Sequence, residues 1–346
     1  MLVGSDPGLQ LPARLGLPLF RPRFPWLTGD LQTVRDIMRP VVLPPDQGEP
    51  LPFAVGDGEQ LLGVYDRPLE GQPKALVLLM HGVGASSRRV GLRRMGYTLR
   101  RSGFAVLRLN LRGAGGGRAL ARGTYAANSN RDLLPVLRQL RGLAGSRPLL
   151  GMGLSLGGTN LLNALTASTT ERRAAGIAPG SALLDGLVTI SSPIDLESCT
   201  QQMERPRNRL YQWWLLKRLV AQTLADPFGV SDAERLALQG PLASIRAFDA
   251  AFTAPRWGYA SIGAYYAQAS PLAPLLRGAT ALPPTLVVHA EDDPWVPVAP
   301  TRQLAEAHRP GLEVLLVPRG GHNGFHGRGG CWTDQLTDRW FQALLG

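Results

Sequence analysis

The chain has two lysines among 37 basic residues, two cysteines, five histidines and no long apolar run. Each scarcity excludes something. Lys74 and Lys217 are the two lysines, so the formal net charge of +11 is carried by arginine. No nucleic-acid-binding motif accompanies that charge, and no nucleic-acid partner is expected. Cys199 and Cys331 are too few for a disulfide framework, and neither stands at metal-ligand spacing. A reducing compartment and no bound metal are expected. The longest apolar run, Ala75 to Met80, is too short to cross a bilayer. No basic segment followed by an apolar core opens the chain, so no secretory signal is expected and the expected localisation is cytoplasmic.

What is present suits a globular protein: 44 % hydrophobic and 18 % charged residues over a length of 346. That length fits one large domain or a domain carrying an insertion. One local basic cluster stands out, Arg88, Arg89, Arg93, Arg94, Arg100 and Arg101, on a helix predicted over 89–101. It reads as a solvated helix face, and the basic surface suits peripheral contact with an anionic membrane.

Residues 1–50 are rich in proline and arginine. Proline at that density opposes long regular structure, so an arm packed over the core is expected, with one short helix from Thr28 or Asp30 to Met38. Phe53 to Val55 and Leu61 to Tyr65 flank Gly56-Asp57-Gly58 and read as a hairpin. Strands then alternate with helices. Strands are predicted at Ala75–Met80, Phe104–Leu109, Pro148–Met152, Leu187–Ile190, Thr285–His289 and Glu313–Val317. Helices are predicted over 89–101, 130–143, 303–307 and 334–345. This rhythm argues for an α/β fold with a mostly parallel central sheet and helices on both faces. Residues 195–275 break the rhythm and concentrate aromatics, including Trp213, Trp214, Phe248, Phe252, Tyr265 and Tyr266. They read as an inserted helical cap whose aromatics mostly form its own core. The expected division is an arm over 1–50, a core over 51–194 and 276–346, and a cap over 195–275.

Functional loops in such sheets sit at the carboxyl ends of the strands. Gly153-Leu154-Ser155-Leu156-Gly157 lies there, after an apolar strand and before a helix with Leu161, Leu162 and Leu165 at helical spacing. Strand, tight turn and helix are the context in which G-x-S-x-G forms a nucleophile elbow, and Ser155 is the candidate nucleophile. A serine nucleophile needs a base, and the base needs an orienting carboxylate. Asp293 and His322 supply them in the order Ser, Asp, His, each directly after a late strand. Asp292 and Asp195 are rival acids, and the D-x-x-V-P spacing favours Asp293. His289 lies in a strand and reads as core, His308 as exposed, and His326 as a minor alternative to His322. The N–H groups of Leu156 and of Val83, in the loop His81-Gly82-Val83-Gly84, are the expected oxyanion donors. His81 and Arg112 are expected to be structural, and Asp132 to cap its helix.

These residues resemble the AB hydrolase 4 family of the AB hydrolase superfamily. The resembling blocks, in chain order, begin with Asp30-Leu31-Gln32-Thr33, His81-Gly82, Asn110-Leu111-Arg112-Gly113 and the elbow. They continue with Phe248-Asp249, Thr253-Ala254-Pro255, Tyr265-Tyr266, Asp292-Asp293-Pro294 and Gly320-Gly321-His322-Asn323-Gly324-Phe325. Asp30 departs from the family's usual His, and Tyr125 to Asn130 departs from its His-x-Gly-like run. The resemblance implies an α/β-hydrolase fold and a catalytic triad of Ser155, Asp293 and His322. It also implies carboxylesterase or acylglycerol lipase activity without a cofactor. An ester or lipid with an apolar acyl part is the expected substrate. The alternatives are a non-catalytic hydrolase-like binding protein, or a thioesterase or acyltransferase on the same triad.

Overall fold

The computed structural model describes residues 7–239, 242–278 and 281–346. Residues 1–6 of the expected arm, 240–241 of the expected cap and 279–280 of the expected core lie outside the described residues.

Alternation of apolar side chains builds the centre. Leu76, Leu78 and Met80 of β3 (Leu76–Met80) point to one side, and Val77 and Leu79 to the other. Both sides are buried, as a central strand of a doubly covered sheet requires. The strands in chain order are β1 (Glu49–Gly56), β2 (Glu59–Asp66), β3, β4 (Ala105–Leu109), β5 (Leu149–Leu154), β6 (Gly186–Ile190), β7 (Thr285–Ala290) and β8 (Leu312–Val317). They form one sheet in the order β1-β2-β4-β3-β5-β6-β7-β8. The β1–β2 and β2–β4 pairings are antiparallel and the rest parallel. The hairpin turn has positive φ at Asp57 and Gly58, which matches the twist of the flanking strands. A two-stranded ribbon, β9 (His326–Gly327) and β10 (Gly330–Cys331), follows β8.

Before β1 come α1 (Pro7–Arg14) and α2 (Gly29–Met38). α1 was not expected, and it carries Pro12 inside it. Thr28 caps α2 by accepting the Leu31 N–H. The core helices are α3 (Val90–Arg101), α4 (Asn130–Ala144), α5 (Leu156–Leu165) and the short α6 (Thr169–Ala174). Between β6 and β7 lie α7 (Leu196–Glu204), α8 (Arg209–Leu224), α9 (Asp232–Gln239), α10 (Ile245–Phe248), α11 (Ala254–Arg256), α12 (Ile262–Ala269) and α13 (Leu272–Arg277). α14 (Ala299–Glu306) and α15 (Trp332–Leu345) complete the chain. One apolar cluster joins the sheet to α4 and α5, and a second joins its other face to α3 and α15. No described helix is long and apolar enough to cross a membrane.

Two expectations are corrected here. The arginine face of α3 is not simply solvated. Arg93 and Arg94 reach Asp46 and Asp36 of the N-terminal segment, Arg94 also Asp334 of α15, and Arg100 reaches Asp66 of β2. Asp132 does not cap α4: Ser129 holds the cap position, and Asp132 stands in the first turn, 1 % exposed. Its carboxylate takes a two-pronged ion pair from Arg112, at 2.8 and 2.7 Å.

A buried pair broken on one side leaves an uncompensated charge. We therefore expect Arg112→Met to lower unfolding free energy in urea by about 3–5 kcal/mol. Arg112→Met/Asp132→Leu should recover much of that loss. Equal losses in the single and double variants would refute the account.

Candidate active site

The elbow forms because its glycines let three backbones meet. A Cβ on Gly157 would come within 2.5 Å of the Met80 carbonyl oxygen, and one on Gly153 would run into the backbone of Gly158. Between them Ser155 sits at φ 52°, ψ −125°, a conformation L-residues avoid. The hydroxyl is thereby thrown out at the carboxyl end of β5, at the start of α5. Gly82 comes alongside: a Cβ there would stand 3.0 Å from Ser155 Cβ.

The β7 and β8 ends bring the other two groups. His322 Nε2 lies 3.0 Å from Ser155 Oγ, and His322 Nδ1 lies 2.9 Å from Asp293 Oδ2. Asp293 Oδ1 accepts the N–H groups of Trp295 (2.8 Å) and Val296 (3.0 Å). Burial alone would raise the Asp293 carboxyl. The attraction and hydrogen bond of His322 outweigh it and hold Asp293 below the ordinary carboxylate range. An ionised Asp293 fixes the proton on Nδ1, which leaves Nε2 as the acceptor facing Ser155. The Trp295 ring stacks on the imidazole, centroids 4.5 Å apart.

The rival groups go elsewhere. Asp292 accepts the Gly321 N–H at 2.8 Å. Asp195 caps α7. His289 is buried against the Val296 carbonyl, and His308 is exposed. His326 pairs with Asp36 at 3.0 Å. His81 is buried, and burial lowers its pKa to about 4, against the smaller opposing effect of the Gly82 carbonyl. Its Nε2 accepts the Leu111 N–H, so Nδ1 carries the proton and donates to Gly82. Leu156 opens α5 directly after Ser155, and Val83 lines the space around Ser155.

Several contributors carried no role in the sequence reading. Thr33 of α2 accepts the His322 N–H at 2.8 Å and donates to the Gly29 carbonyl at 2.7 Å. Gln32 donates to the Trp26 and His326 carbonyls and accepts the His326 N–H. Ser191, itself at φ 50°, accepts the Asn323 N–H at 3.2 Å. Thr33 and Gln32 lie in the Asp30–Thr33 block, the one sequence signal that could have drawn attention to them.

Two cavities meet at Ser155 and His322. One, of about 880 Å³, is lined chiefly by apolar side chains including Leu196, Met203, Leu215, Leu219 and Phe248. The other is a wider cleft of about 1660 Å³, bordered by α2, α3 and α8. Asp249 lines the first. It accepts Thr253 Oγ1 at 2.6 Å and Tyr266 Oη at 3.0 Å within a π-helical turn, Asp249–Thr253. Burial raises its pKa to about 6, against those two hydrogen bonds. Burial also pushes the thiols of Cys199 and Cys331 up to about 12, which disfavours their thiolates. Among the described residues no group of three or more His, Cys, Asp or Glu could hold a metal ion.

An α/β-hydrolase sheet carrying a serine elbow defines the class. The chain belongs to the family described as serine aminopeptidase, S33, whose model matches residues 71–327. It is 31 % identical over 290 residues to the putative esterase YheT of Escherichia coli, covering 81 % of this chain and 80 % of that one. It is 27 % identical to human phospholipase ABHD3, over 89 % of this chain and 75 % of that one. The yeast medium-chain fatty acid ethyl ester synthase/esterase 2 is 26 % identical, over 71 % and 57 %. These names support a hydrolase. Among solved structures, the 2,6-dihydroxy-pseudo-oxynicotine hydrolase superposes with a TM-score of 0.56 at 17 % identity, covering 91 % of this chain and 72 % of that one. A Pyrococcus furiosus esterase gives 0.55 at 13 %, over 87 % and 94 %. Both share the fold.

Asp249 generates a prediction about pH. Its pKa is raised from 3.8 to about 6 by the fold. Below both values the carboxyl is neutral in either state. Between about 3.8 and about 6 the unfolded chain ionises while the folded protein keeps its proton, so stability is lost as pH rises through that window and the loss is complete just above 6. Asp249→Asn removes that loss, and its Tm relative to wild type should climb by a few degrees between pH 4.5 and 7.5. A difference that is flat or falls over that range would contradict the assignment.

Proposed function

We propose that the protein is a serine hydrolase of carboxylic esters with an apolar acyl part, of the carboxylesterase or acylglycerol lipase type. The observation that carries the reading is the continuous chain Ser155–His322–Asp293 where the two cavities meet. His322 Nε2 takes the Ser155 proton as Oγ attacks the ester carbonyl. Asp293 holds the imidazole in the required tautomer and offsets its charge. The N–H groups of Leu156 and Val83 stabilise the tetrahedral oxyanion, worth about 3–4 kcal/mol each where such donors have been removed. His322 then protonates the leaving alcohol. Water, deprotonated by His322, releases the acid from the acyl-enzyme. The apolar cavity suits the acyl chain.

Acyl transfer to an alcohol is the second reading on the same residues. The yeast relative's name, synthase and esterase together, favours it, and the wide cleft beside His322 has room for an acceptor alcohol.

Labelling with a fluorophosphonate should mark wild type and spare Ser155→Ala. That variant should lose at least about a thousandfold in kcat on p-nitrophenyl esters from acetate to laurate. A fully active Ser155→Ala would sink the mechanism, and an unlabelled wild type would favour a binding protein. Adding ethanol and following ethyl ester formation separates transfer from hydrolysis.

Thr33 gives a separate expectation. Thr33→Val removes the oxygen that fixes the His322 backbone, and kcat should drop about tenfold with KM little changed, because the base is misplaced rather than the substrate lost. Thr33→Ser should restore most of it. Wild-type kcat in Thr33→Val would remove Thr33 from the positioning of His322.

A further inference from the structure

The wide cleft differs from the apolar cavity in its charge. Arg89, at the start of α3, lines it and is half-buried. On α3, Arg93, Arg94 and Arg100 all reach carboxylates, while Arg101 of that helix and Arg88 before it are exposed to water. Arg89 has neither: among the described residues it makes no ion pair. Arg218 of α8, also half-buried, stands beside the cleft through two of its lining residues. Its Nε donates to the Gly84 carbonyl at 2.8 Å, its guanidinium lies 4.9 Å over the Trp214 ring, and it too makes no ion pair among the described residues. Gly84 and Trp214 both border the cleft.

The two cations also feel each other. Burial first, and the charge of Arg218 next, lower the Arg89 pKa, with Asp36 opposing. Asp36 is already committed to Arg35, Arg94 and His326, and Asp334 to Arg94. Two half-buried like charges without a counter-ion are unfavourable unless a ligand completes them. The rim beside them is apolar and open, with Ile37, Met38, Leu210 and Trp213 between 52 % and 81 % exposed.

We propose that the wide cleft receives the alcohol half of the ester and that Arg89 and Arg218 hold an anionic group, a phosphate or a carboxylate, carried on that half. The proposal rests on the ester reading, in which the apolar cavity takes the acyl chain. The substrate is then an amphiphile, apolar on the acyl side and anionic on the alcohol side. Arginine suits this role because its planar fork matches both anions.

The test uses the full chain and esters of one acyl chain that differ only in the alcohol: glycerol (neutral), glycerol 3-phosphate (phosphate) and glycolate (carboxylate). The kcat/KM of wild type should be about 10- to 100-fold higher for at least one anionic ester than for the glycerol ester, as expected for a charge-assisted contact. Whichever anion is preferred names the source. Raising salt should shrink the preference. Arg89→Gln and Arg218→Gln should each collapse the anionic-to-neutral ratio towards 1, Arg89→Lys should keep part of it, and Arg101→Gln, an exposed arginine on the same helix, should keep all of it. Equal rates on the three esters in wild type would overturn the anion site while leaving the ester reading standing. A ratio lost equally in Arg101→Gln would overturn the assignment to Arg89 and Arg218. No turnover of any ester would overturn the ester reading and the proposal together.

Discussion

The backbone of Ser155 is the constraint on which the site depends. A serine held at φ 52°, ψ −125° costs on the order of 1–3 kcal/mol. The cost is offset because the elbow is clamped between fixed partners. The Ser155 N–H bonds the Ile190 carbonyl at 2.8 Å, which ties the turn to the end of β6. α5 behind it is buried along nearly its whole length, from Gly157 to Leu165. The close approach of Gly157 to the end of β3 leaves no space for any side chain there, and the loop of Gly82 and Val83 is drawn to the same edge. One local strain therefore goes with the placement of Ser155, the helix that starts beside it and the adjoining loop.

The His322 loop closes on itself through the Phe325 N–H to the Gly320 carbonyl at 3.1 Å, and it is also held from outside. It carries positive φ at Gly321, Asn323 and Phe325, a shape that a short stretch does not keep unaided. Three different elements bind it: Asp292 after β7 through the Gly321 N–H, Ser191 after β6 through the Asn323 N–H, and Thr33 of α2 through the His322 N–H. The contact with α2 is close enough that a Cβ on Gly29 would collide with the Asp292 carbonyl. The N-terminal segment, through α2, therefore also helps to hold the loops of His322 and Asp292.

The parallel strands and their flanking helices were legible because their physics is local. A strand buried on both faces reads as an apolar run, and a helix against it as a leucine stripe. The order of Ser155, Asp293 and His322, each just past a strand, followed from the same reading. In the fold Asp293 meets His322 and Asp292 meets the Gly321 N–H, since adjacent residues of a loop face different ways. What escaped detection was long-range pairing. Thr33 meets His322 across 289 residues, and Arg94 meets Asp36 and Asp334 across 58 and 240. No periodicity encodes such partners, so a paired arginine face looks like a solvated one. Asp132 misled for a related reason: an acid in the first turn of a helix serves equally as a cap or as the partner of a distant arginine.

That pairing also explains how a chain of formal net charge +11 folds compactly. Much of the arginine is internal and matched. Arg108 of β4, 2 % exposed, bonds Asp66 and Asp46, and Arg112 bonds Asp132 and Glu59. The acids it meets come from the N-terminal segment, β2 and α4, so the pairs to Asp46 and Asp132 tie the N-terminal segment and α4 to the sheet and its loops, and those to Asp66 and Glu59 brace β2. Buried pairs of this kind contribute little net stability over apolar packing, but a wrong docking would strand a charge. Placement, more than binding strength, is what they secure. Against that background an unpaired arginine carries information. The half-buried guanidinia of α3 each have a carboxylate, whereas Arg89, just before that helix and lining the cleft that also reaches Ser155, has none among the described residues.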